Sequence, residues 1–204
     1  MAFSDFTLEE VARTLGVTTG EADLFPSPRG VEVPAWLRDI LEKRTKLVLL
    51  SEKSRSEFIV APILLASREI SPVPLAIFSG QRLDVDPGLG LVGECDFILA
   101  ATDPIPPLRA PIATIVEARK NDIEAGLGQC VAQMVAARMF NQAAGRTEAP
   151  VFGCVTTGEA WQFLQLVESQ AVIDHRRYYI DDVARILAVI QEIIARSAVA
   201  GVRT

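Results

Sequence analysis

Three apolar stretches in the middle of the chain, Leu75 to Val85, Leu91 to Ala101 and Ile112 to Arg119, are short and separated by turn residues. Asp86-Pro87-Gly88 breaks the first from the second, and the proline-rich run Asp103 to Pro107 breaks the second from the third. Short apolar runs with such connections read as strands of an antiparallel meander. The apolar period then changes. Ile123 to Gln142 reads as a long helix, and Asp181 to Ala198 as another with Val183, Ile186, Leu187, Ile190 and Ile194 as its stripe. Between them, Val151 to Thr156 and Ala160 to Leu166 are strands joined by Thr157-Gly158-Glu159, and Tyr178 to Ile180 reads as a short edge strand.

Upstream, Thr7-Leu8-Glu9-Glu10 has capping-box spacing, and Gly16 ends the helix that follows. That segment looks like the first half of a helix-turn-helix, without a recognition helix behind it. Pro26, Pro28 and Gly30 mark a loop, and Pro34 to Lys46 reads as a short helix. A longer helix is expected from Ser51 to Ser67, with Phe58, Ile59, Ile63, Leu64 and Leu65 on its buried side and a kink or break at Pro62. Helix, three strands, helix, two strands, helix makes one mixed α/β layered domain.

Composition narrows the class. The chain has 204 residues, half of them hydrophobic, which is enough for a substantial core. No run of 18 apolar residues is free of charge, so no membrane span is expected. The N-terminus lacks a basic segment followed by an apolar one, so no secretory signal is expected either. Cys95, Cys130 and Cys154 are widely spaced in apolar segments and read as buried thiols of a cytoplasmic protein. The single histidine, His175, forms no zinc-type spacing with them.

The formal net charge of −6 does not suggest a strong nucleic-acid binder. The charge is uneven, however. From Arg38 to Arg55 six basic residues (Arg38, Lys43, Arg44, Lys46, Lys53, Arg55) stand against three acids. Such an excess suits either a phosphate backbone or a solvated helix face with paired charges. His175-Arg176-Arg177 reads as a solvated turn, and Trp161 as a core residue.

The chemistry concentrates on two strands. Gly93-Glu94-Cys95-Asp96-Phe97-Ile98-Leu99 is apolar but for acids two residues apart, and Ile112 to Ala118 runs apolar into Glu117, Arg119 and Lys120. At a period of two, Glu94 and Asp96 share a face, as do Glu117 and Arg119, while Cys95 and Lys120 face the other way. If the strands are neighbours, Asp96 and Glu117 converge. Two carboxylates in an apolar wall repel each other and need a cation. A divalent metal is one solution. A salt bridge to Arg119 is the other.

An acid on one strand, Val116-Glu117-Ala118-Arg119-Lys120 ending the next, and then a helix carrying Gln129 and Gln133 resemble the PD-(D/E)XK, restriction-endonuclease-like nucleases. The strand–turn–strand Val155-Thr156-Thr157-Gly158-Glu159-Ala160-Trp161 is also similar to the nuclease domain of type I restriction-enzyme subunits. Ser51 to Phe58 resembles the family's first core helix. The resemblance covers Ser51 to Leu166, and Gly126 to Cys130 resembles the helix start of uncharacterised bacterial proteins of this length. It implies a single domain over residues 1–204, a restriction-endonuclease-like mixed β-sheet flanked by helices, with residues 1–50 as an N-terminal helical extension.

The resemblance further implies Asp96 and Glu117 as ligands of Mg²⁺ or Mn²⁺, and Glu57 as an auxiliary acid reaching the metal directly or through water. Gln129 would stand near the site. Arg119 occupies the position of the catalytic lysine, and Lys120 could replace it only through a strand irregularity. Lys53 and Arg55 are the expected nucleic-acid contacts. Arginine is forked and always protonated, so it is no simple replacement for lysine. Three readings follow: a metal-dependent DNA phosphodiesterase, a relic in which Arg119 pairs with the carboxylates and the fold binds or assembles, and a homodimer built on the C-terminal helix. The acidic charge leaves room for a protein partner that supplies the DNA contacts.

Overall fold

A computed structural model describes residues 1–44, 47, 49–147 and 150–199. The chain forms α1 (Leu8–Leu15), β1 (Thr18–Ala22), α2 (Ala35–Lys43), α3 (Glu52–Arg55), α4 (Ala61–Glu69), β2 (Ala76–Arg82), β3 (Glu94–Ala100) and β4 (Ile112–Ala118). There follow α5 (Glu124–Ala143), β5 (Val151–Thr156), β6 (Ala160–Val167), β7 (Gln170–Tyr179) and α6 (Val183–Val199). The Lys46 end expected for α2 lies outside the described residues. Among these residues no helix is long and apolar enough to cross a membrane.

All seven strands join one sheet in the order β1-β7-β6-β5-β4-β3-β2. β1–β7 and β4–β5 are parallel pairs and the others antiparallel, so the fold is mixed α/β. Every residue of β4 and β5 is buried, which is why both read as continuous apolar runs. One face of the sheet packs α5 and the N-terminal segment, with Phe3, Phe6, Val11, Cys130 and Met134 in its core. The other packs α2, α4 and α6, with Leu37, Ile63, Leu64, Ile190 and Ile194.

The first fifty residues differ from a helical extension. They supply the edge strand β1, and Phe3, Phe25 and Leu37 are each at most 1% exposed in the two cores. β7 is a ten-residue strand between β1 and β6, where only Tyr178 to Ile180 was expected at an edge; His175, Arg176 and Arg177 lie within it. Arg176 is neutralised by Asp23 at 2.6 Å and Arg177 by Glu124. Those partners lie far away in sequence, so the local string looks like a solvated turn.

The long helix around Pro62 is continuous but changes pitch. Pro62 has no N–H to give, and a π turn, Ser56–Val60, links α3 to α4, with Ala61 N–H donating to the Ser56 carbonyl. The extra residue rotates the helix. Ile59, Ile63 and Leu64 are buried as expected, but Phe58 and Leu65 are 45% and 50% exposed. At the β5–β6 turn Gly158 has φ +82°, and a Cβ there would lie 3.2 Å from Ile59 Cδ1. This turn holds the π segment against the end of the sheet that carries Glu117.

The apolar stripe of α6 is consumed inside the chain. Ile186, Leu187, Ile190 and Ile194 are at most 3% exposed. A dimer built on that stripe would have to break this packing.

Candidate active site

β3 and β4 pair antiparallel with Phe97 opposite Val116, so Asp96 and Glu117 are the next residues beyond that pair. The ladder stops there. In place of a main-chain acceptor, Asp96 Oδ2 accepts a hydrogen bond from Ala118 N–H at 2.7 Å. Pairing between β2 and β3 skips the same level, since Ser79 faces Phe97 and Gln81 faces Cys95. Gly80, in between, has φ +61°. The opening is a cleft of about 370 Å³ lined by Glu52, Lys53, Glu57, Gly80, Glu94 and Asp96 among others.

Glu117 is 3% exposed, on the face covered by α5. Gln133 of α5 donates its Nε2–H to Glu117 Oε2 at 3.1 Å. Burial pushes the Glu117 carboxyl up to about 8; the Asp96 charge adds to this, while Gln133 and Arg119 oppose it. Asp96 is raised too, first by burial, and the Ala118 N–H pulls it down. The Glu52 carboxylate raises both.

Arg119 lies where the strand period places it, with Nη1 3.6 Å from Glu117 Oε1. Its N–H is held by the Thr156 carbonyl at 2.7 Å. A Cβ on Gly126 would stand 3.0 Å from Arg119 Cγ, so the first turn of α5 rests on the arginine stem only because that residue is glycine. From this strand end Ala118 lines the cleft, whereas Glu117 and Arg119 do not, and Lys120 is exposed beyond the end of β4 and does not line it either.

The auxiliary residues are rearranged relative to the sequence reading. Glu57 lines the cleft but pairs with Lys53 at 3.8 Å, both largely exposed. Glu52 is the helix acid whose charge reaches both carboxylates. Its signal was Ser51, the helix cap, whose side chain accepts from Ser54 N–H and sets Glu52 in the first turn. Gln133, one turn beyond the half-buried Gln129, is the helix residue that meets Glu117. Arg55 gives its guanidinium to the carbonyls of Leu49 and Thr157, each at 3.2 Å. It ties the helix to the β5–β6 turn. Trp161 is fully buried. Cys95, Cys130 and Cys154 are buried free thiols with raised pKa, a state in which a thiol is a poor nucleophile.

Gln133 Oε1 is buried without a hydrogen-bond partner. Replacing Gln133 by leucine removes that orphan but also the donor to Glu117. The substitution is expected to cost about 1–3 kcal/mol where Glu117 is ionised, and less where it is protonated. Urea denaturation above and well below pH 8 checks this. An equal cost at both pH values would remove Gln133 from the role of stabilising the charge.

No protein-family model matches the chain, and comparison with curated proteins finds no relative.

Proposed function

We propose that the chain is a restriction-endonuclease-like, divalent-metal-dependent phosphodiesterase acting on nucleic acid. The observation that carries this reading is the pair Asp96 and Glu117, at the level where the β3–β4 ladder ends: Asp96 lines an acidic cleft, and the buried Glu117, which is not on that lining, feels the Asp96 charge. The donors are all carboxylate oxygens, which suit a hard cation such as Mg²⁺ or Mn²⁺. Among the described residues no three Asp, Glu, His or Cys side chains gather as a ready metal cage. The set therefore fits an ion that keeps most of its waters and takes one or two carboxylates. Asp96 and Glu117 would hold it, with Glu52 and Glu57 at the cleft wall. Such an ion, when bound, polarises a phosphoryl oxygen and lowers the pKa of a coordinated water. The chain's own residues do the rest. Ala118 N–H fixes one oxygen of Asp96, and Gln133 fixes one of Glu117. Arg119 supplies a permanent positive charge beside Glu117 but has no basic form to take a proton.

A second reading has its own observation. Glu117 already has Arg119 at 3.6 Å and Gln133 at 3.1 Å, so a relic that uses the fold for binding or assembly is self-consistent. Calorimetric titration separates the two. The phosphodiesterase reading expects saturable Mn²⁺ or Mg²⁺ binding that is lost in Asp96→Ala and in Glu117→Ala. No saturable binding to the native chain would leave the relic.

A further inference from the structure

A second hollow adjoins the acidic cleft and shares Ser56, Glu57 and Ser79 with it. It measures about 290 Å³. Beyond the shared residues it is walled by Ala61 and Leu65 from the helix and by Ile77 and Phe97 from the sheet, with Arg68 also on its lining. Glu57, Ala61, Leu65 and Arg68 recur every three or four residues, so they form one stripe along the helix. From Glu57 to Arg68 that stripe runs about 16 Å. Acid stands at one end, apolar surface in the middle and a cation at the other end.

Arg68 is exposed, and among the described residues it makes no ion pair. Its neighbour Glu69 is engaged elsewhere, accepting from Trp36 Nε1 at 2.7 Å. Leu65 is half exposed beside it. A guanidinium without an ion pair among the described residues, one turn from an open apolar wall, suits a ligand with an anionic and a flat apolar part.

Charge decides between one strand and two. Glu52, Glu57 and Glu94 rim the cleft in a chain of net charge −6. A second strand would bring more phosphates against these acids, and Lys53, the cation among the cleft's lining residues, is already paired with Glu57. A single strand asks for one phosphate at the cleft, one base beside it and one phosphate further on. We propose that the apolar hollow holds a nucleobase of a single-stranded nucleic acid, with Arg68 taking a neighbouring phosphate, so that the substrate class is single-stranded rather than duplex. This rests on the phosphodiesterase reading of the adjoining cleft. Because every base has an apolar face, such a hollow is tolerant of sequence.

The test measures fluorescence anisotropy with labelled oligonucleotides in Ca²⁺, as an intact single strand, its duplex and a single strand with abasic sites, each as DNA and as RNA. The intact strand is expected to bind about tenfold or more tighter than the abasic strand, the scale of one lost base contact. The duplex should bind more weakly than the intact strand. Leu65→Ser and Arg68→Gln should each weaken single-strand binding at an unchanged denaturation midpoint. Equal binding of intact and abasic strands, or a duplex bound as tightly, overturns the proposal, as does an unaffected Leu65→Ser. Mn²⁺-dependent cleavage, followed in parallel, separates the two claims. Cleavage that persists without base dependence refutes the hollow and keeps the phosphodiesterase. Base-dependent single-strand binding without cleavage or metal binding keeps the hollow and refutes the phosphodiesterase. Absence of any nucleic-acid binding overturns both.

Discussion

On the proposed phosphodiesterase reading, Arg119→Lys is expected to raise divalent-metal-dependent cleavage of nucleic acid by about 100-fold over the native chain, the scale of one positioned proton-transfer group. The arginine sits with Nη1 3.6 Å from Glu117 Oε1, where its fork competes with a cation for the same carboxylate. It remains protonated at every accessible pH, so it can balance charge but cannot relay a proton. Lysine at that position is a compact point charge whose pKa responds to burial, and it demands less of Glu117. The glycine at position 126 already leaves room for the stem of either side chain. The measurement is a cleavage time course with Mn²⁺, with Arg119→Lys alone and combined with Asp96→Ala. The double variant should lose the gain. A gain that survives Asp96→Ala, or no gain at all, would remove Arg119 from the role of a catalytic lysine's replacement in the proposed phosphodiesterase.

Glu117→Gln should make the protein more stable at pH 8 and flatten its stability profile. In the folded chain burial holds the Glu117 carboxyl up at about 8, against an ordinary 4.5. Between those values the folded state binds more proton than the unfolded state, so stability falls as pH rises through the window. Below about 4.5 the contribution is fully favourable; above about 8 it is lost. The difference is on the order of 3 kcal/mol, taking into account that Asp96 shares the titration. For a chain of this size that corresponds to roughly 6–12 °C in Tm. Glutamine keeps the shape and can still accept from Gln133, but never ionises. Thermal melts of both proteins in chelator across this range check the sign. A native profile that is flat or rises with pH, or a Glu117→Gln profile of the same slope, would show that Glu117 does not carry the raised pKa.

Legibility from sequence followed burial. β4 and β5 are buried on both faces, so their apolar runs mark Ile112 and the span Val151 to Thr156 without ambiguity. β1 is an edge strand of Thr18 to Ala22 with mostly exposed residues, and it carries no alternation to read. β7 was obscured by His175, Arg176 and Arg177; the acids that neutralise the two arginines, Asp23 and Glu124, come from elsewhere in the chain. The helix from Glu52 to Glu69 was legible as a helix, but its phase was not. With a π turn before Pro62, Phe58 and Leu65 face outward, and Leu65 joins the apolar wall beside the cleft.

The site divides along the same line. Strand period and turn length are local properties, and they alone put Asp96 beside Glu117 and Arg119 on the face of Glu117. Which other side chains surround that pair is a matter of how helices are rotated and seated against the sheet, and this depends on packing across the whole chain. Only the tertiary structure could therefore bring Glu52 rather than Glu57 into the field of both carboxylates. The same packing set Gln133 rather than Gln129 on Glu117, and tied Arg55 to carbonyls instead of leaving it for phosphate. The two acids were written in the sequence; their surroundings were decided by the fold.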